Sequence, residues 1–146
     1  MSCPYFDPVA PRAHGAEAGN ATLPLGDEWA GMCRVEPDRA TEPDRSNLRM
    51  LCNLGYARGF CHRFPATAGP DAARFTLVAD NGTTLRLYYV LERDHQPYAH
   101  GALEYSVDRE AVSPDPAGTC TPRQAVAYAQ SYLRRKAENL AWMPNR

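Results

Sequence analysis

The sequence predicts an α+β fold, and three features of its patterning point there. Alternating apolar runs on either side of Asp80-Asn81-Gly82 read as paired strands, the stretch after Thr121 carries apolar residues at helical spacing, and residues 1–70 hold neither period for long. Eight of the 13 prolines fall in that first stretch: Pro4, Pro8, Pro11, Pro24, Pro37, Pro43, Pro65 and Pro70. Proline fixes φ and removes a donor, so this spacing leaves room only for short elements. The expected architecture is a loop-rich, cysteine-bearing N-terminal layer (1–70), a three-stranded antiparallel meander, and one C-terminal helix packed on the sheet. At 146 residues the chain sits near the commonest domain size, so 1–146 is expected to be a single domain, with the meander and helix in 71–146.

Each element has a local reason. Asp44 or Ser46 is placed to cap a brief helix from Asn47 to Leu54 that Gly55 closes. A short turn is expected around Gly26-Asp27-Glu28-Trp29-Ala30. Arg74 to Ala79 reads as a strand, with Phe75, Leu77 and Ala79 on one face. Asn81-Gly82 suits a type I′ turn, which needs positive φ at both central positions. Thr84 to Glu92 follows with Leu85, Leu87, Tyr89 and Leu91 on one face, and a loop through Asp94-His95-Gln96-Pro97 leads to a third strand, Gly101 to Val107. After the connector Ser113-Pro114-Asp115-Pro116, Thr121 is the expected N-cap, with Pro122 at the first helical position and Gln124 completing a capping box. Val126, Ala129, Tyr132 or Leu133, Ala137 and Leu140 form the expected apolar stripe, and Arg134, Arg135 and Lys136 favour the dipole near the C-terminal end.

Composition narrows the function classes. An apolar fraction of 44% argues against wholesale disorder, and a net charge of −1 gives no field to attract nucleic acid or an anionic membrane. The 15 arginines against a single lysine, with abundant Ala and Pro, look like the GC-rich coding of a bacterial gene, which discounts arginine as evidence for phosphate binding. No apolar run approaches the roughly 20 residues needed to span a bilayer. Met1 to Pro8 has neither the basic nor the apolar region of a signal peptide, so the expected compartment is a reducing cytoplasm. The sequons at Asn20 and Asn81 carry little weight there.

In such a compartment, five cysteines are ligands or reactive thiols more readily than disulfides. They are Cys3, Cys33, Cys52, Cys61 and Cys120, and four of the five lie in the half least able to fold by burial alone. A metal centre can supply the missing free energy there. Structural zinc usually presents two close Cys-x₂₋₄-Cys pairs, and this chain has none. Iron–sulfur clusters take four thiolates dispersed more widely, and Cys3-Pro4 repeats a dipeptide of ferredoxin runs, although no ferredoxin spacing is matched. The expectation is therefore an iron–sulfur cluster, 4Fe–4S favoured over 2Fe–2S, on Cys3, Cys33, Cys52 and Cys61, with a structural, electron-transfer or redox-sensing role. Gly55 and Gly59 are expected to let backbone N–H groups approach sulfur, and Tyr5, Phe6, Tyr56 and Phe60 to exclude solvent. Cys120 reads as a buried thiol in a connector, able to replace one ligand.

Rival readings are a zinc-stabilised or cofactor-free protein-interaction module, and a thiol-dependent redox enzyme or switch. A catalytic thiol needs a histidine within reach, and His62, His95 and His100 are the candidates. Asp94, His95, His100 and Glu104 form a weaker oxygen and nitrogen metal set. Arg58 and Arg63 among Tyr56, Phe60 and Phe64 resemble a stacking surface for nucleic acid, but the near-zero charge argues against that partner. A four-thiolate site without an open position favours no enzyme, and leaves a redox or regulatory protein as the expected partner. The oligomeric state is not indicated.

Overall fold

The computed structural model describes residues 1–12, 23–115 and 119–141, with Leu140 and Ala141 placed by backbone alone; Asn20, Pro116 and the Leu140 side chain lie outside what is described. The architecture is α+β with two antiparallel sheets and a C-terminal helix. A two-stranded ribbon pairs β1 (Phe6–Pro11) with β2 (Trp29–Cys33). A four-stranded sheet runs in sequence order through β3 (Ala72–Asp80), β4 (Thr84–Arg93), β5 (Gln96–Ser106) and β6 (Ala111–Ser113). Between the sheets lies α1 (Arg45–Asn47), continued by a π-helical turn over Leu48–Cys52. The long helix α2 (Thr121–Ala141) follows the sheet.

Two expectations need correction here. The sheet has four strands rather than three, because Ala111–Ser113 pairs with β5 through Tyr105 and Val112. The N-terminal layer also contains a real ribbon, despite Pro8 and Pro11. In a two-stranded ribbon every strand is an edge, and an edge tolerates residues that cannot donate.

Turn chemistry was also distributed differently. At Asp80-Asn81-Gly82 only Gly82 has positive φ, so the turn is not type I′. Instead the Asp80 carboxylate accepts the Gly82 N–H at 2.9 Å, and the Asn81 side chain accepts from Thr83 and Thr84. A bulge after Leu77 then shifts the pairing, which turns Ala79 outward. The paired positive φ values lie at Asp94 and His95, 51° and 62°, in the two-residue link between Arg93 and Gln96. The expected loop is thus a tight hairpin, and Pro97 already belongs to β5.

The two halves share one core. Phe6, Leu25, Trp29 and Leu48 pack with Phe75, Leu85, Leu87, Leu103, Tyr105 and Val112, and Ala125, Ala127 and Ala129 let α2 approach closely. Burial of each large side chain contributes about 1.5–3 kcal/mol. The expected stripe holds for Val126, Ala129, Tyr132 and Leu133, whereas Ala137 is exposed. Ser2 extends the β3 edge, exchanging two 2.8 Å backbone bonds with Ala73.

One polar tie fastens α2 to the β3–β4 turn. Asp80 accepts from Tyr132 Oη at 2.7 Å and Lys136 Nζ at 2.8 Å. The Lys136 bond first, then those from Tyr132 and Gly82, hold the Asp80 carboxyl down at about 2. Its stabilising effect is complete above the ordinary value of 3.8 and is lost as pH falls through about 2. Asp80→Asn is expected to cost about 1 kcal/mol above that window, the pairing being screened by solvent. Urea denaturation from neutral pH down to about pH 2 should show the wild-type advantage constant above about pH 4 and mostly lost by about pH 2.

Candidate metal centre

The thiols of Cys3, Cys33, Cys52 and Cys61 arise at four distant points in the chain and are drawn into one neighbourhood by backbone hydrogen bonds. The Cys3 N–H donates to the Cys52 carbonyl at 3.0 Å, and the Cys3 carbonyl accepts the Phe6 N–H at 3.1 Å, closing a tight turn. Phe6 stands opposite Cys33 in the ribbon, and the Arg34 N–H reaches the Tyr5 carbonyl at 2.8 Å. Cys33 in turn exchanges bonds of 2.7 and 3.0 Å with Thr41. Thr41 Oγ1 accepts from Arg63 at 2.6 Å, which joins this bridge to the turn where the Cys61 N–H donates to Ala57.

All five cysteines are free thiols. Burial pushes the Cys3 thiol up to about 12, a Tyr5 backbone N–H bonded to it pulls the other way, and the neighbouring Cys52, Cys33 and Cys61 each raise it further. Cys52 is likewise pushed to about 12 by burial, then by Cys33 and Cys61. Cys33 and Cys61 thus lie close enough to act on both Cys3 and Cys52, two thiols whose ionisation burial resists. A single tetrahedral ion holds thiolate sulfurs at about 2.3 Å, hence about 4 Å from one another. Among the described residues, no three Cys, His, Asp or Glu side chains are gathered closely enough for one ion.

Cys120 stands apart. Its carbonyl accepts the first helical bond of α2, from the Gln124 N–H at 2.9 Å. Burial first, then Asp7, raise its thiol to about 11, against Arg34 and Arg123, and Cys33 adds a smaller push upward. It lines a cavity rather than the four-thiol neighbourhood.

The expected surroundings are only partly those observed. Phe6 is buried and Tyr5 packs edge-on against Phe64 at 5.4 Å. Phe60 is 80% exposed, and Tyr56 turns away with positive φ to stack on His95 at 4.2 Å. Phe64 takes the place expected for them, with the Arg58 guanidinium 4.7 Å from its centroid. Gly55 is also misjudged: its N–H is spent on the Leu51 carbonyl at 2.7 Å, and a Cβ there would meet the Met1 carbonyl at 2.7 Å. Its role is chain reversal against the N-terminus.

The other candidates separate. His95 contacts Tyr56, and His100 Nδ1 pairs with Tyr88 Oη at 2.5 Å, so Asp94, His95, His100 and Glu104 do not form a metal set. His62 lines a cavity of about 440 Å³ with Cys33, but no cysteine–histidine hydrogen bond is formed among the described residues. Arg58 is held by Asp71 at 2.7 Å and Arg63 by Thr41, so both serve the chain's own loops.

Two buried amides, not anticipated from the sequence, position the thiol loops. Gln124 does not complete a capping box. Its Nε2 donates to the carbonyls of Cys3 and Phe6 at 2.7 and 2.8 Å, and its Oε1 accepts from Ser2 at 2.8 Å. Asn53, beside Cys52, brackets Trp29: it accepts the Trp29 N–H at 2.9 Å and donates to the Trp29 carbonyl at 3.0 Å. An amide on an apolar helix face was the one available signal, and for Gln124 the capping reading masked it.

Gln124→Ala should cost about 2–4 kcal/mol, since two buried carbonyls lose their donor and a cavity opens; thermal unfolding measures this. In metal-free protein at pH 8, Cys3 and Cys52 should alkylate far more slowly than a free thiol, because iodoacetamide reacts with the thiolate. Mass spectrometry of the time course reads the rate at each site. Comparison of the chain with protein-family models, with curated proteins and with solved structures finds no match in any of the three.

Proposed function

We propose that Cys3, Cys33, Cys52 and Cys61 hold an iron–sulfur cluster, and that the protein is a cluster-binding protein with a structural, electron-transfer or redox-sensing role. The observation that carries this reading is the convergence of four free thiols from four separate points of the chain, Cys3 buried and Cys33, Cys52 and Cys61 partly so. Cys3 and Cys52, each disfavoured as a thiolate by burial and by its neighbouring cysteines, would make a good part of a ligand set, because a cationic centre reverses the sign of those interactions. The residue types suit a cluster: four thiols, one already receiving a backbone N–H from Tyr5. When bound, such a cluster supplies one-electron exchange at a potential set by its hydrogen bonds and solvent access.

The chain's own residues would do the rest. Phe6, Tyr5 and Phe64 exclude water on one side, and the Gln124 and Asn53 amides hold the Cys3 and Cys52 loops in place. A 4Fe–4S centre is proposed in preference to 2Fe–2S, and Cys120 is left out because it lines the cavity at the start of α2. No helix among the described residues is long and apolar enough to cross a membrane. A cytoplasmic setting and a protein redox partner complete the proposal.

The test is to express the protein with iron supplied, purify it without oxygen, and assay iron, acid-labile sulfide and zinc. Brown protein with matching iron and sulfide is the expected result. Cys52→Ser should abolish the colour and Cys120→Ser should retain it. Colourless protein carrying zinc would replace the cluster with a structural ion. Protein with neither metal, and Cys52→Ser as well behaved as wild type, would sink the metal reading and favour a cofactor-free interaction module.

A further inference from the structure

A second cavity lies on the side of the thiol loops that faces α2. It encloses about 430 Å³ and is bounded by Pro4, Tyr5, Val35, Pro37, Pro70 and Leu91, with Cys120 and the start of α2 closing one end. Asp7 lies at its wall, 1% exposed, and two guanidinium groups share that single carboxylate: Arg34 Nε at 3.0 Å and Arg123 Nη1 at 3.5 Å. Each arginine carries five donors in a planar fork, and one N–H of each is directed to Asp7. The charged groups lining the cavity are Arg34, Arg123 and Asp7, so two positive charges face one negative and the lining is net cationic.

We propose that this cavity binds a small organic monocarboxylate with an apolar body. The volume falls within the range of small-molecule sites, where mostly apolar walls are joined by a few placed polar groups. The surplus of one positive charge matches a monoanion, and the remaining edge of a guanidinium fork suits a planar carboxylate held by two parallel bonds. The proline, valine and leucine walls leave a purely polar anion such as phosphate without a partner for most of its surroundings. This site goes beyond the proposed cluster, since its charge and its walls belong to the polypeptide whether or not the thiols are metal ligands.

The probe is 3-phenylpropanoate, compared with 3-phenylpropylamine and 3-phenylpropanol, titrated by calorimetry and saturation-transfer NMR into the full chain as purified. The carboxylate should bind saturably, with a dissociation constant below about 10 mM, and at least about ten-fold tighter than the amine or the alcohol. Arg123→Gln should weaken it by about ten-fold. Val35→Trp fills the apolar side while keeping both arginines, and should abolish binding; it decides the matter if Arg123→Gln disturbs folding. Equal affinity for the amine, no binding of the carboxylate, or full affinity in a folded Val35→Trp protein would overturn the proposal.

Discussion

The placement of the N-terminal half depends on a single buried amide. Gln124 lies on the face of α2 that meets the chain's first residues, fully buried, and its two ends bind Ser2, Cys3 and Phe6. A buried amide without partners is costly, whereas one with every bond made specifies a unique arrangement, because no shifted register satisfies it. Once Cys3 and Phe6 are fixed against α2, the direction of β1 is set, and with it the place of Cys33 opposite Phe6. Asn53 does for the other arm of the ribbon what Gln124 does for the first, fastening Trp29 to the turn that carries Cys52. The convergence of the thiols is thus a consequence of two amide networks, established before any metal is considered.

That order changes the energetic argument for a metal. The sequence suggests that the first half buries too little to fold unaided, yet Phe6, Leu25 and Trp29 are among the most buried residues of the common core. The ribbon is therefore held by ordinary burial, at about 1.5–3 kcal/mol for each large side chain. The outer run from Cys61 to Gly69 has less such support: Phe64 packs against Tyr5, and the rest rests on Arg58 through Asp71, Pro65 and Thr67. A metal centre would stabilise that run and the Cys33–Thr41 bridge more than the fold as a whole.

The parts of the fold written in local chemistry were legible. Alternation in Leu85 and Leu87, the helical period after Thr121, and the Asp44 cap, which accepts the Asn47 N–H at 2.8 Å, all appear where the residues place them. The errors arose where tertiary context overrode a local rule. The type I′ geometry went to Asp94-His95 because Asp71 accepts the Asp94 N–H and Tyr56 the His95 N–H, supports from far along the chain that offset two unfavourable φ values. The strand through Pro8 was hidden because proline was weighed as a breaker and not as an edge residue. The short β6 has three residues, too few for any period to register. At the thiols, which aromatics lie beside them depended on the left-handed φ at Tyr56, which no spacing reveals.

The thiol neighbourhood and the cationic cavity are built from the same two loops. Cys3 runs directly into Pro4 and Tyr5, and Cys33 into Arg34 and Val35, so each loop carries a thiol on one side and cavity wall on the other. Arg34 is the shared element: it grips Asp7, faces the cavity, and acts electrostatically on Cys120, on which Cys33 also acts. An anion seated against Arg34 would reduce the positive field that reaches Cys120, and a change in charge at Cys120 would alter the field that holds the anion. Linkage makes such an effect equal in both directions.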